Sequence, residues 1–166
     1  MLVHPYPFTE EIKKLYATNI FPKQEGYKYL FLNGYFEYPD ITDSEYNSVQ
    51  RISVNDLGEI LGYMTAGINR ESWTVTGIAI MSFNLSHRCN KTLMQDIVKF
   101  FDDLFTLYKF KKIEIAYCEQ NPGSKMYQKF MQRYNGKVTG KGVGSLYNRE
   151  QVEVVHVEFS GKEGRL

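Results

Sequence analysis

Residues 73–105 read WTVTGIAIMSF, then NLSHRCNK, then TLMQDIVKFFDDLF. The first piece, Trp73 to Phe83, is apolar and rich in β-branched side chains, which predicts a strand. The second, Asn84 to Lys91, is a short polar loop carrying His87, Arg88 and Lys91. In the third, Leu93, Ile97, Phe101, Leu104 and Phe105 recur at helical spacing and Tyr108 extends the stripe. Gln95, Asp96, Lys99, Asp102 and Asp103 are assigned to the opposite, polar face. A helix that opens directly after a strand turns unpaired amides and the positive end of its dipole outward. That arrangement suits a phosphate, so this unit is the expected anion cradle.

The flanking segments supply a sheet. Val49–Val54 and Glu59–Ile68 are predicted strands joined by the turn Asn55-Asp56-Leu57-Gly58, a hairpin pattern. Gly77 inside the next strand marks a bulge or a close backbone approach. Lys111–Tyr117 alternates Ile113, Ile115 and Tyr117 against Lys112, Glu114 and Ala116, which predicts another strand. Asn121-Pro122-Gly123-Ser124 opens a helix over Lys125–Tyr134, with Asn121 as its cap and Pro122 at its first position. Val138–Tyr147 is a glycine-interrupted strand. Val152–Phe159 is a strong final strand, expected at an exposed edge where a second copy could pair.

The first third is expected to be helical. Thr9 is read as an N-cap, followed by Glu10, Glu11 and the face Ile12, Leu15, Tyr16, ending where Phe21-Pro22 breaks the helix. Met1–Pro7 is read as irregular, Gly26–Tyr38 as an aromatic wall of undecided type, and Pro39–Asn47 as a loop. The expected fold class is α+β: a mixed, mostly antiparallel sheet with helices on both faces.

At 166 residues the chain is expected to be one domain, and 43% hydrophobic residues with 13 Tyr and 11 Phe suffice for one core. A net charge of +1 argues against a nucleic-acid partner. Two cysteines, Cys89 and Cys118, make neither a disulfide framework nor a metal site. Neither a signal peptide nor a membrane span is visible, so a soluble, cytoplasmic protein with no membrane partner is expected.

The strand–loop–helix at 73–105 and the stretch Asn121-Pro122-Gly123-Ser124-Lys125-Met126-Tyr127-Gln128-Lys129-Phe130 together resemble the Gcn5-related N-acetyltransferase (GNAT) superfamily, on its RimL-like or phage-encoded side. The resemblance covers about Val49 to Phe159, and it fits the helical N-terminal third only loosely. It implies acetyl-CoA as co-substrate, held where two parallel strands splay apart at their C-terminal ends. Here those strands are Thr74–Phe83 and Lys111–Tyr117. Carried over, Met81, Ser82 and Phe83 would lie nearest the pantetheine arm. The loop His87, Arg88, Cys89, Asn90, Lys91 and Thr92 would hold the pyrophosphate. It lacks the glycines of the family's signature; Arg88 and Lys91 supply charge, and Asn90 is a residue that tolerates positive φ.

The resemblance further places Asn121 and Lys125 beside the cofactor and makes Tyr127 the acid that protonates departing CoA, since phenol and thiol pKa values lie close enough for the transfer. Glu119, at the end of the strand Lys111–Tyr117, is the candidate base, with Glu59 and Glu71 as less central carboxylates. The implied activity is transfer of an acetyl group to a primary amine of a small molecule or a peptide, by a monomer or homodimer. The alternative is a GNAT-fold module that binds CoA or a protein without catalysis.

Overall fold

The computed structural model describes residues 1–22, 27, 39–87, 90–146 and 149–161. Gly26–Tyr38, read as a wall, therefore falls outside the described residues except for Tyr27. Among the described residues seven strands form one sheet: β1 Leu2–Val3, β2 Ser48–Val54, β3 Ile60–Asn69, β4 Thr74–Ser82, β5 Ile113–Cys118, β6 Gly136–Ser145 and β7 Gln151–Phe159. Their order is β1-β2-β3-β4-β5-β7-β6. Every neighbouring pair is antiparallel except β4 and β5. The mixed sheet expected from the sequence is thus present, parallel pair included.

The opposite faces of the sheet are covered by different helices. One carries α1, Thr9–Leu15, which runs on into a π-helical turn, Tyr16–Ile20. Ile12, Tyr16 and Ile20 pack there on Ile52, Tyr63, Met81 and Phe83. The other carries α2 Lys91–Thr106 and α3 Ser124–Arg133. Leu93, Ile97, Phe100, Phe101, Leu104 and Phe105 from α2 and Phe130 from α3 pack with Leu61, Met64, Val75, Ile113, Ile115, Val155, Val157 and Phe159. Tyr134, fully buried just after α3, stacks on Phe101 at 5.7 Å. Its hydroxyl donates to Asp102 Oδ1 at 2.8 Å.

Several sequence expectations change. The entry Met1–Pro7 is not wholly irregular, because Leu2 and Val3 pair with Ser53 and Ile52 as the sheet's first strand. Thr9 is the first helical residue rather than the cap, and its hydroxyl donates to the Tyr6 carbonyl at 2.7 Å. The last strand, β7, lies between β5 and β6, so the exposed edge belongs to the glycine-rich β6. Strand order is a long-range property, and hydrophobic strength alone does not locate that edge.

Asp96 is the other departure. Helical spacing assigns it to the polar face, yet it is 7% exposed. Its Oδ2 accepts from Ser53 Oγ at 2.6 Å and from the Met1 ammonium at 2.8 Å. The ammonium also donates to the Val54 carbonyl at 2.7 Å. A buried carboxylate is tolerable because both partners are polar donors.

This packing has two measurable consequences for stability. Replacing Asp96 by Ala leaves the buried Ser53 hydroxyl without its acceptor and takes one partner from the Met1 ammonium, and should cost about 2 kcal/mol in urea unfolding. Alkali should also unfold the protein. Burial first, then carboxylate neighbours, pushes Tyr63 and Tyr108 up to about 12. A raised folded pKa contributes stability that is complete below the unfolded value near 10 and lost as pH rises through the folded value. Unfolding free energy measured from pH 8 to 12 should therefore be flat to about 10 and fall beyond it, less steeply in Tyr63→Phe.

Candidate active site

The parallel strands β4 and β5 meet at one place only. Val75 pairs with Ile113, the Val75 N–H donates to the Lys112 carbonyl at 3.0 Å, and the Lys111 N–H donates to the Trp73 carbonyl at 3.0 Å. This junction is braced from below: the Trp73 ring stacks on Phe110 at 4.7 Å, and its Nε1 donates to the Tyr108 carbonyl at 2.9 Å. Immediately past Val75 the register against β3 slips, from Ile68↔Val75 to Ala66↔Ile78. Three steps on β4 match two on β3, so the extra residue lies at Thr76–Gly77, where the sequence suggests a bulge. A bulge bends its strand and increases local twist. Beyond it β4 stays with β3, and no further β4–β5 pair exists among the described residues.

A wedge therefore opens between the two strands toward their carboxyl ends. The Phe83 N–H donates to the Leu61 carbonyl at 3.0 Å, on the β3 side. Because backbone direction alternates along a strand, the polar groups of Ile78, Ile80 and Ser82 face the wedge. Apart from the Ser82 carbonyl they have no strand partner among the described residues, which is the state of a split sheet's edge. The Ser82 carbonyl is already engaged by the Tyr27 hydroxyl at 2.7 Å.

The mouth of the wedge is framed by two helix starts. At α2, Asn90 is the N-cap: its Oδ1 accepts the Leu93 N–H at 3.1 Å, and its carbonyl accepts the Met94 N–H at 3.0 Å. Of the four N-terminal amides, those of Lys91 and Thr92 have no partner among the described residues, and both sit at the dipole's positive end. His87 ends a short 3₁₀ turn, Leu85–His87, and its Nε2 lies 3.3 Å from Glu59 Oε1. At α3, Asn121 Oδ1 accepts the Gly123 N–H at 2.9 Å and its carbonyl accepts the Ser124 N–H at 2.9 Å. The buried Ser124 hydroxyl donates to the Glu119 carbonyl at 3.2 Å, which ties the helix start to the end of β5. One turn in, Tyr127 stacks on Tyr117, the penultimate residue of β5, with centroids 5.6 Å apart and planes 18° from parallel.

No family model matches the sequence, and no curated protein matches it. Solved structures do. Spermidine N-acetyltransferase from Vibrio cholerae, in complex with CoA and spermine, superposes with a TM-score of 0.66 at 14% identity over 90% of this chain and 89% of that one. A chimera of SpeG from the same organism with hSSAT reaches 0.67 at 13% identity, over 92% and 90%. A probable acetyltransferase matches with 0.56 at 14%, over 70% and 62%. The chain has the Gcn5-related N-acetyltransferase fold. These neighbours do not single out its RimL-like or phage-encoded branch.

Within this GNAT fold the expected site residues separate into groups. Lys91, Thr92, Asn121, Lys125 and Tyr127 stand at the two helix starts that frame the wedge, and exposed Glu119 lies in the turn after β5. Arg88 and Cys89 lie outside the described residues. Asn90 does not use positive φ; its φ is −65° and it works as a cap. Ser82 presents backbone to the wedge. Met81 and Phe83 do not: both side chains are buried against α1, and the Phe83 amide is taken by Leu61. Asn121 closes a turn rather than capping α3, whose N-cap is Gly123, and Pro122 stays outside the helix.

Sequence reasoning missed Ile78, Ile80, Tyr117 and Tyr27. The first two follow from strand parity once Phe83 is known to bond β3, and no local pattern carries that. Among the described residues no three His, Cys, Asp or Glu side chains gather to hold a metal ion. No described helix is long and apolar enough to cross a membrane. A depression of about 440 Å³ on α1, lined by Glu10, Glu11, Lys13, Lys14 and Ala17, lies along one helix face away from the wedge. It has neither strand ends nor convergent donors.

The cap makes a direct prediction. Asn90→Ala should lower unfolding free energy by about 1 kcal/mol, whereas Asn90→Ser should recover most of it, both read by urea denaturation.

Proposed function

We propose that this chain is an acetyl-CoA-dependent N-acetyltransferase acting on a primary amine of a small molecule or a peptide. The observation that carries the reading is the wedge: two parallel strands that pair at one residue and then part beneath the N-terminus of α2. An extended pantetheine arm suits the backbone of Ile78 and Ile80 and the amide of Ser82. The pyrophosphate suits the amides of Lys91 and Thr92, with Arg88 and Lys91 adding charge. The neighbour holding CoA and spermine supports the same pairing of ligands, and polyamines are the natural first acceptors to screen.

In this reading the amine nitrogen attacks the thioester carbonyl, a C–N bond forms, and the C–S bond breaks. Tyr127 gives its phenolic proton to the leaving thiolate, and the nitrogen loses a proton to water or to a base for which Glu119 is the candidate. The phenolate is then reprotonated from solvent. The products are the amide and free CoA, so atoms and charge balance. The chain is further proposed to act in the cytoplasm, as a monomer or homodimer.

Calorimetric titration with acetyl-CoA tests the cradle. Binding should be weakened about tenfold or more in the Arg88→Ala, Lys91→Ala double variant, as expected for losing two cationic side chains that would pair with phosphate. No binding at millimolar ligand would overturn the proposal. Tyr127→Phe should lower kcat on the order of 10²-fold while leaving the Kd for CoA unchanged. Binding with no turnover of any amine would instead leave a CoA-binding module, a reading to which the glycine-free, capped loop already lends support.

A further inference from the structure

Tyr117 is held in place by structure that does not move easily. It lies in β5 opposite Val155 of β7 and points, with Ile113 and Ile115, into the core beneath α2 and α3. It is 7% exposed. Its ring meets Tyr127 as a near-parallel stack at 18°, whereas Phe130–Tyr134 and Phe101–Phe159 in the same core meet edge-on at 78° and 76°. Tyr127 itself is half-buried and stands in the first turn of α3. That turn is fastened to the end of β5 by the Ser124 hydroxyl on the Glu119 carbonyl and by the Asn121 turn. A tyrosine ring has two side-chain torsions. A flat, fixed neighbour against one ring face restricts both, so the direction of its hydroxyl is set.

We propose that Tyr117 is a positioning residue for acyl transfer: its ring, held at the carboxyl end of β5, sets the orientation in which Tyr127 presents its hydroxyl to the departing thiolate. The proposal rests on Tyr127 serving as the acid in the reading above. Tyr117 touches no reacting atom; it acts through the ring it holds. Small misplacements of a reacting group cost large factors in rate, so a loose Tyr127 should lower kcat without altering the binding of CoA.

The test is a double-variant cycle on the full chain with acetyl-CoA and an acceptor amine. Tyr117→Leu keeps an apolar side chain in the core but removes the flat face. It should lower kcat on the order of 10- to 100-fold while the KM for acetyl-CoA changes less than about twofold. Tyr117→Phe, which retains the stack, should recover most of that loss. In a Tyr127→Phe background, Tyr117→Leu should have no further effect on kcat. An equal loss in both backgrounds would mean that Tyr117 only supports the core, and would overturn the proposal.

Full activity of Tyr127→Phe would instead overturn the acid assignment on which the proposal rests. Should the wild-type chain acetylate no amine, NMR of ring-labelled tyrosine decides the positioning alone. The Tyr127 ring should flip faster in Tyr117→Leu and return toward its original rate in Tyr117→Phe; an unchanged flip rate in Tyr117→Leu would overturn it.

Discussion

One surplus residue in β4 governs the architecture of the site. A strand with two neighbours can satisfy both only while its register matches both, and the insertion at Thr76–Gly77 breaks that condition. β4 keeps β3 and gives up β5, so the parallel ladder ends after Val75↔Ile113. The junction holds despite this because Trp73, Phe110 and Tyr108 clamp it from below. The wedge is thus a built opening in the middle of a sheet, with polar backbone on one wall and helix amides at its mouth. An interior strand would ordinarily have no unpaired backbone to offer, and the proposed binding of the cofactor arm depends on that exception.

The rest of the molecule holds the wedge in shape. On one face α2 and α3 share an aromatic core in which Tyr134 sits among Phe101, Phe105, Phe130 and Phe159. Burial and the Asp102 carboxylate drive the Tyr134 phenol far above its ordinary range, so it stays a neutral donor. Since α2 begins at the wedge and α3 begins beside it, packing along their lengths fixes where their first turns stand. On the other face α1 packs on Met81 and Phe83, which secures the end of β4. Asp96 draws β2, α2 and the chain start together through Ser53 and Met1. The residues at the helix starts are placed by contacts several turns away from them.

Much of this is legible in the sequence. The alternation in Ile113, Ile115 and Tyr117 is buried as expected, and the stripe on α2 packs as its spacing implies. Gly77 does mark the bulge. Asp96 escapes a sequence reading because a charged residue in an amphipathic helix is normally solvated, and only its meeting with residues 53 and 1 reverses that. Asn121 reads as the helix cap, two residues early, because an Asx turn and an N-cap have the same sequence signature. The resemblance points to Met81 and Phe83, whereas strand parity turns both side chains toward α1.

By itself the sequence determined the main strands and helices from residue 48 onward, the hairpin and the resemblance to one acyltransferase fold. These depend on contacts within a few residues, where spacing and capping chemistry act directly. The tertiary structure alone decided that β7 is interior and β6 an edge, that the last pairing of β4 with β5 is at Val75, that Ile78 and Ile80 offer the open backbone, and that Tyr117 lies under Tyr127. Each is a relation between segments that are not neighbours in the chain. Which neighbour a strand keeps follows from the competition among whole strands and helices for one core, and that competition leaves no mark in any single stretch of chain.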